Sequence, residues 1–76
     1  MHNFKKKLGE VIRQRREMLG LLQAALSELA GVSLRTIQLV ESGAANPSLD
    51  TLEKMIDPLG LELQVAIKNS GSPENT

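Results

Sequence analysis

Apolar residues recur along this chain in four blocks at the 3.6-residue spacing of an amphipathic helix, then in a fifth block at a spacing of two. Phe4, Leu8, Val11, Ile12 and Leu19 predict a first helix over about residues 4–19, with Gly20 placed as the left-handed residue that ends it. Leu26, Leu29 and Ala30 face inward in a short second helix from Gln23 to Ala30, stopped by Gly31. Its start is irregular: Leu22 stands where Ser, Thr or Asp would accept a backbone N–H, which forgoes roughly 1 kcal/mol. Ser33 is a proper cap for a third helix, about Leu34 to Ser42, anchored by Val32, Ile37 and Val40 and ended by Gly43. Pro47 makes Ala44-Ala45-Asn46-Pro47 a loop. Ser48 caps a fourth helix that carries Asp50 in its first turn and Leu49, Leu52, Met55, Ile56 and Leu59 inward. Pro58 ends this helix near Asp57 to Leu59.

After Gly60 the period changes. Leu61, Leu63, Val65 and Ile67 alternate with Glu62, Gln64, Ala66 and Lys68, which is the pattern of a strand. A strand needs a ladder partner, and no second strand is legible in the sequence. The simplest mate is the same segment of a second copy, paired antiparallel about a two-fold axis; a loose apolar tail on the core, or addition to a different protein, are the other readings. The expected fold class is therefore all-α, a compact helix-turn-helix bundle of four or five helices over residues 4–60, with a C-terminal β-strand at 61–68 that pairs across a homodimer. Residues 69–76 are polar, contain Gly71 and Pro73, and read as a disordered tail.

Composition narrows the chemistry. Of 76 residues 41% are apolar, yet Phe4 is the only aromatic, so the core must be aliphatic. A chain of this length buries only about 60% of its unfolded surface and usually needs a staple. There is no cysteine, and the lone His2 cannot build a metal site or a catalytic dyad, which leaves oligomerisation as the aid. With no glycine-rich phosphate loop and no paired carboxylates either, an enzyme is not expected, nor is a cofactor or a metal. No apolar run approaches 18 residues and no signal-peptide pattern follows the first lysines, so no membrane partner is expected and a cytoplasmic location is. The net charge of zero hides a division: residues 1–38 carry seven bases and three acids, a net +4, while residues 39–76 carry two bases and six acids, a net −4. A basic half is the electrostatic minimum for meeting nucleic acid, although Lys5, Lys6 and Lys7 can also be a solvated helix start.

Two short helices joined by a tight turn at Gly31-Val32-Ser33 make a helix-turn-helix. Its second helix fits a major groove about 12 Å wide and would present Ser33, Leu34, Arg35, Gln38 and Leu39 outward. Arg35 can fork to O6 and N7 of guanine, Gln38 can pair with N6 and N7 of adenine, and Leu34 or Leu39 can touch a thymine methyl. Gln23 opens the preceding helix, where it can meet a base or a phosphate. Leu34 folding back onto the core and Leu39 in a dimer contact are the competing readings.

The stretch from Leu8 to Leu63 resembles the XRE/Cro-repressor-type helix-turn-helix family, through Gly20-Leu21-Leu22-Gln23, the Leu26 to Ser33 turn, Thr36-Ile37, Glu41-Ser42-Gly43 and Asn46-Pro47-Ser48 followed by Leu52. The resemblance implies that Gln23 and the face from Ser33 to Leu39 meet the major groove of double-stranded DNA, with Thr36 and Asn46 near phosphates. It also implies that Glu41 pairs with an arginine of the first helix, here Arg16; as a surface pair this would contribute under about 1 kcal/mol and serve orientation. Four positions depart from the family pattern: Leu22 replaces a polar cap, Ser27 stands where alanine is usual, and Ala44-Ala45 lack the usual basic residues. The passage Leu59-Gly60-Leu61-Glu62-Leu63 is similar to HipB-type antitoxins. That likeness implies a strand-paired dimer, through Leu61, Leu63, Val65 and Ile67, that binds a pseudo-palindromic operator, represses its own operon and binds a HipA-type kinase toxin. A stand-alone repressor, or an interaction module that keeps the fold, are the alternatives.

Overall fold

The computed structural model describes residues 3–68; His2 and the tail expected at 69–76 lie outside the described residues. Four α-helices follow in chain order: α1 Phe4–Met18, α2 Gln23–Ala30, α3 Leu34–Glu41 and α4 Leu49–Ile56, the last running directly into a 3-10 turn, Asp57–Leu59. Pro58 sits inside that turn, where its missing N–H breaks the α-helical ladder but not the tighter one. The caps are those the sequence carries. Ser33 and Ser48 each accept a bond from the backbone N–H three residues on, Thr36 and Thr51, whereas Leu22 makes no side-chain cap. Among the described residues no helix is long and apolar enough to cross a membrane.

The turn between α2 and α3 is held at three points. Gly31 adopts φ 69°, a left-handed conformation that frees the backbone N–H groups of Gly31 and Val32 to donate to the Ser27 carbonyl at 3.0 and 3.2 Å. Ser27 closes the loop from the other side, its hydroxyl donating to the Val32 carbonyl at 2.5 Å. The serine that departs from the family pattern thus acts as a clasp on the turn that sets the angle between the two helices.

One aliphatic core joins the elements: Ile12 from α1, Leu26 and Ala30 from α2, Ile37 and Val40 from α3, Leu52, Met55 and Ile56 from α4, and Leu59 from the 3-10 turn. Each fully buried side chain of this size contributes about 1.5–3 kcal/mol. Leu8, Leu21, Val32, Ala45 and Leu61 pack around its rim. Several residues expected inside are exposed instead: Phe4, Val11, Leu19, Leu29 and Leu49. In α2 and α4, each eight residues long, about two turns offer only two or three positions to a small core, so Leu29 and Leu49 stay in solvent; α1 is longer but buries only Gly9, Ile12 and Arg16, which leaves Phe4, Val11 and Leu19 outside.

The strand expected at 61–68 does not form in the single chain. Leu61 reaches the core rim, but Leu63 is exposed, and Val65 and Ile67 are 97% and 96% open. A strand exists only through its ladder, and among the described residues this chain supplies none.

Gly9 lies where two helices meet at backbone distance. A Cβ there would lie 2.3 Å from the Val40 carbonyl oxygen and 2.7 Å from that of Glu41, so α1 meets the end of α3 backbone to backbone. Gly9→Ala must push the two helices apart; a loss of about 2–3 kcal/mol is expected in urea denaturation, against a small effect at exposed Glu10→Ala.

Candidate nucleic-acid interface

α3 is about 12 Å long at 1.5 Å per residue, and an α-helix about 10–12 Å across with its side chains enters a major groove about 12 Å wide. Ile37, Val40 and Glu41 bury one side of it; Ser33, Leu34, Arg35 and Gln38 are exposed on the other, with Leu34 at 41%, and Thr36 and Leu39 are half-buried between. Ser33 and Thr36 are not independent groups. The Ser33 hydroxyl accepts from the Thr36 N–H at 3.1 Å and donates to the Thr36 hydroxyl at 2.9 Å, which leaves the Thr36 O–H free to donate outward. Among the described residues Arg35 has no carboxylate within 4 Å, and neither Arg35 nor Gln38 makes an intramolecular side-chain hydrogen bond.

The opposite end of α3 is anchored by a buried ion pair. Arg16 donates from Nε to Glu41 Oε2 at 2.6 Å and from Nη2 to Glu41 Oε1 at 2.9 Å, a two-pronged fork with both residues less than a tenth exposed. Its remaining nitrogen, Nη1, donates to the Leu21 carbonyl at 2.7 Å. The side-chain hydrogen bonds to Glu41 hold the Arg16 guanidinium above its ordinary pKa, against the opposing effect of burial. The pair expected at the surface is therefore interior, and removing either partner would strand the other's charge in the core.

Gln23 joins this network, donating to Glu41 Oε1 at 3.0 Å. It is half-buried and fixed at the Glu41 end of α3, while Ser33 lies at the other end, so the expected reading residues span the full length of the helix. Its amide oxygen accepts no bond among the described side chains and can still meet a donor outside. Asn46 is exposed in the loop after α3 and lines an open cavity of about 460 Å³ with Lys5, Lys6, Ser42, Gly43 and Ala44.

Two contacts escape the sequence reading. Arg15 donates from Nε to the Leu59 carbonyl at 2.8 Å, tying the last turn of α1 to the 3-10 turn 44 residues away. Arg16 holds the Leu21 carbonyl ahead of α2, so one guanidinium positions both helices of the motif. The available signal was the pair of adjacent bases in the last turn of α1, a place where cations meet free carbonyls.

Glu41→Ala is expected to cost about 3–5 kcal/mol, far above a surface pair, because Arg16 is left buried and unpaired. The double variant R16A/E41A should lose less than the sum of the two single losses, a non-additivity that chemical denaturation measures directly.

Residues 12–65 match the helix-turn-helix family HTH_3. The chain is 40% identical over 58 residues to an uncharacterized HTH-type transcriptional regulator of Haemophilus influenzae, a match covering 72% of this chain and 59% of that protein. It is 38% identical over 55 residues to a protein of Methanocaldococcus jannaschii named as an HTH-type transcriptional regulatory protein, covering 72% of this chain and 17% of that one. The chain thus spans less than two thirds of the length of either relative. With the two-helix motif, its glycine turn and the fork beneath it all present in one matched stretch, the chain belongs to the helix-turn-helix family of the XRE/Cro type.

Proposed function

We propose that this chain is a sequence-specific, duplex-DNA-binding transcriptional repressor. The observation that carries the reading is the exposed face of α3, which offers Arg35 and Gln38 without side-chain partners among the described residues, on a helix whose far end is fixed by the Arg16–Glu41–Gln23 network. A rigid mount with free donors at its surface suits base readout, since a side chain already bonded within the protein would have to break that bond to read DNA. Leu34 and half-buried Leu39 supply apolar contact for a thymine methyl, and the free Thr36 O–H, Gln23 and Asn46 supply phosphate or base contacts. The relatives named as transcriptional regulators support the same reading.

The working unit is a two-fold dimer that sets two copies of α3 in successive major grooves, roughly 34 Å apart, on a pseudo-palindromic operator. Antiparallel pairing of residues 61–68 between copies gives that dimer its interface: it supplies the missing ladder and covers Leu63, Val65 and Ile67, which the single chain leaves open. The finer assignment, an antitoxin that represses its own operon and binds a HipA-type kinase toxin, rests on the resemblance of the C-terminal passage. The test is co-purification: capture of a kinase encoded beside it would support that assignment, and a stand-alone repressor is the reading if no neighbour co-purifies.

Arg35→Ala is expected to lose about 1–3 kcal/mol of discrimination at a single base position of a selected duplex, measured by competition binding. An equal loss on all sequences would make Arg35 a phosphate contact instead. Val65→Pro, which removes a ladder donor, should convert the dimer to monomer in sedimentation equilibrium; an unchanged mass would refute strand pairing.

A further inference from the structure

The face that would meet DNA is short of cations. Arg35 is the only base on α3, and the Ala44-Ala45-Asn46 loop after it carries none. Duplex binding draws much of its strength from neutralised phosphates, so a reading helix with one arginine needs charge from elsewhere.

The start of α1 supplies it. Lys5, Lys6 and Lys7 are all exposed, and among the described residues no carboxylate lies within 4 Å of any of them. Their position is set by backbone packing. Gly9 closes α1 onto the Val40 and Glu41 carbonyls, and Lys6 presents its Cα and N 3.0 and 3.3 Å from where a Cβ on Gly43 would stand. Gly43 directly follows the residue that caps α3. Lys5 and Lys6 therefore share one open cavity with Ser42, Gly43, Ala44 and Asn46. Lys6 and Lys7 line an adjoining one with Arg13, where Glu10 is the acid not already spent, since Glu41 is neutralised by Arg16.

We infer that Lys5, Lys6 and Lys7, held against the turn that ends α3, form a phosphate-binding surface for the DNA backbone flanking the reading helix, replacing the charge that the neutral loop lacks. The inference rests on the DNA-binding reading above and adds the residues that provide its sequence-independent affinity. It also gives the charge division a geometry: the lysines lie beside α3, whereas Glu53, Asp57 and Glu62 line a groove on α4.

The test compares wild-type protein with K5Q/K6Q and with Arg35→Ala. Fluorescence anisotropy on a duplex selected by the wild type from a random pool, and on a scrambled duplex, is followed through a sodium chloride series. K5Q/K6Q should retain its circular dichroism and flatten the slope of log K against log salt by about 0.9 per lysine. Its affinity should fall equally on both duplexes, leaving the ratio between them unchanged, while Arg35→Ala changes that ratio. A slope unchanged in K5Q/K6Q overturns the lysine surface and leaves the reading helix intact. A slope flattened by K5Q/K6Q, where the wild type enriches no duplex from the pool and binds all of them alike, supports the lysine surface and overturns sequence-specific reading. No binding of any duplex at low salt overturns both.

Discussion

The polar contacts that orient the end of α3 converge on one guanidinium. Arg16 spends two nitrogens on Glu41, at the last residue of α3, and the third on the Leu21 carbonyl just ahead of α2. Gln23 then closes the circuit from the first residue of α2 to the same carboxylate. A planar fork has one good approach to a carboxylate, so these bonds fix a direction as well as a distance. The aliphatic core cannot do that alone, because apolar contact is non-directional and tolerates rotation of one short helix on another. Among the described residues no buried side-chain polar atom is left without a partner, which is what makes an interior ion pair tolerable in so small a protein.

The remaining structure protects that arrangement. Gly9 lets α1 approach the end of α3 closely enough for Arg16, two turns further on, to reach Glu41. Ser27 and Gly31 fix the turn from the other side. Arg15, next to Arg16 in sequence, points to a different carbonyl and fastens the 3-10 turn. Two adjacent arginines thus fasten the end of α3 and the 3-10 turn. The ion pair also cancels one charge from each half, so the exposed residues keep the opposition of a basic α1 and an acidic α4.

Much of this was legible in the residues. Glycine stops, serine caps and the prolines gave the four helices to within a residue or so, because each works through local backbone geometry. The Arg16–Glu41 pairing came from resemblance and not from spacing, since a contact across 25 residues leaves no periodic trace. Its burial was not legible, nor was the role of Gly9, because a glycine inside a helix looks like a weak helix former until the neighbouring backbone is seen. The inward assignment of Phe4, Leu29 and Leu49 failed for a related reason: periodicity reports that a side chain is apolar and on a stripe, not how many such side chains a small core can hold. At 61–68 the alternation was visible, but a ladder is a property of two segments and one chain contains half of it.

The division of labour along α3 has an evolutionary corollary. Its inward positions, Ile37, Val40 and Glu41, carry the packing and the anchor, and its outward positions, Leu34, Arg35 and Gln38, make no side-chain hydrogen bond among the described residues. Mutation on the outer face therefore carries little thermodynamic risk to the scaffold. On the reading proposed above, a lineage built on this chassis is rewired to a different duplex sequence by drift at three codons, while the mount beneath them stays fixed.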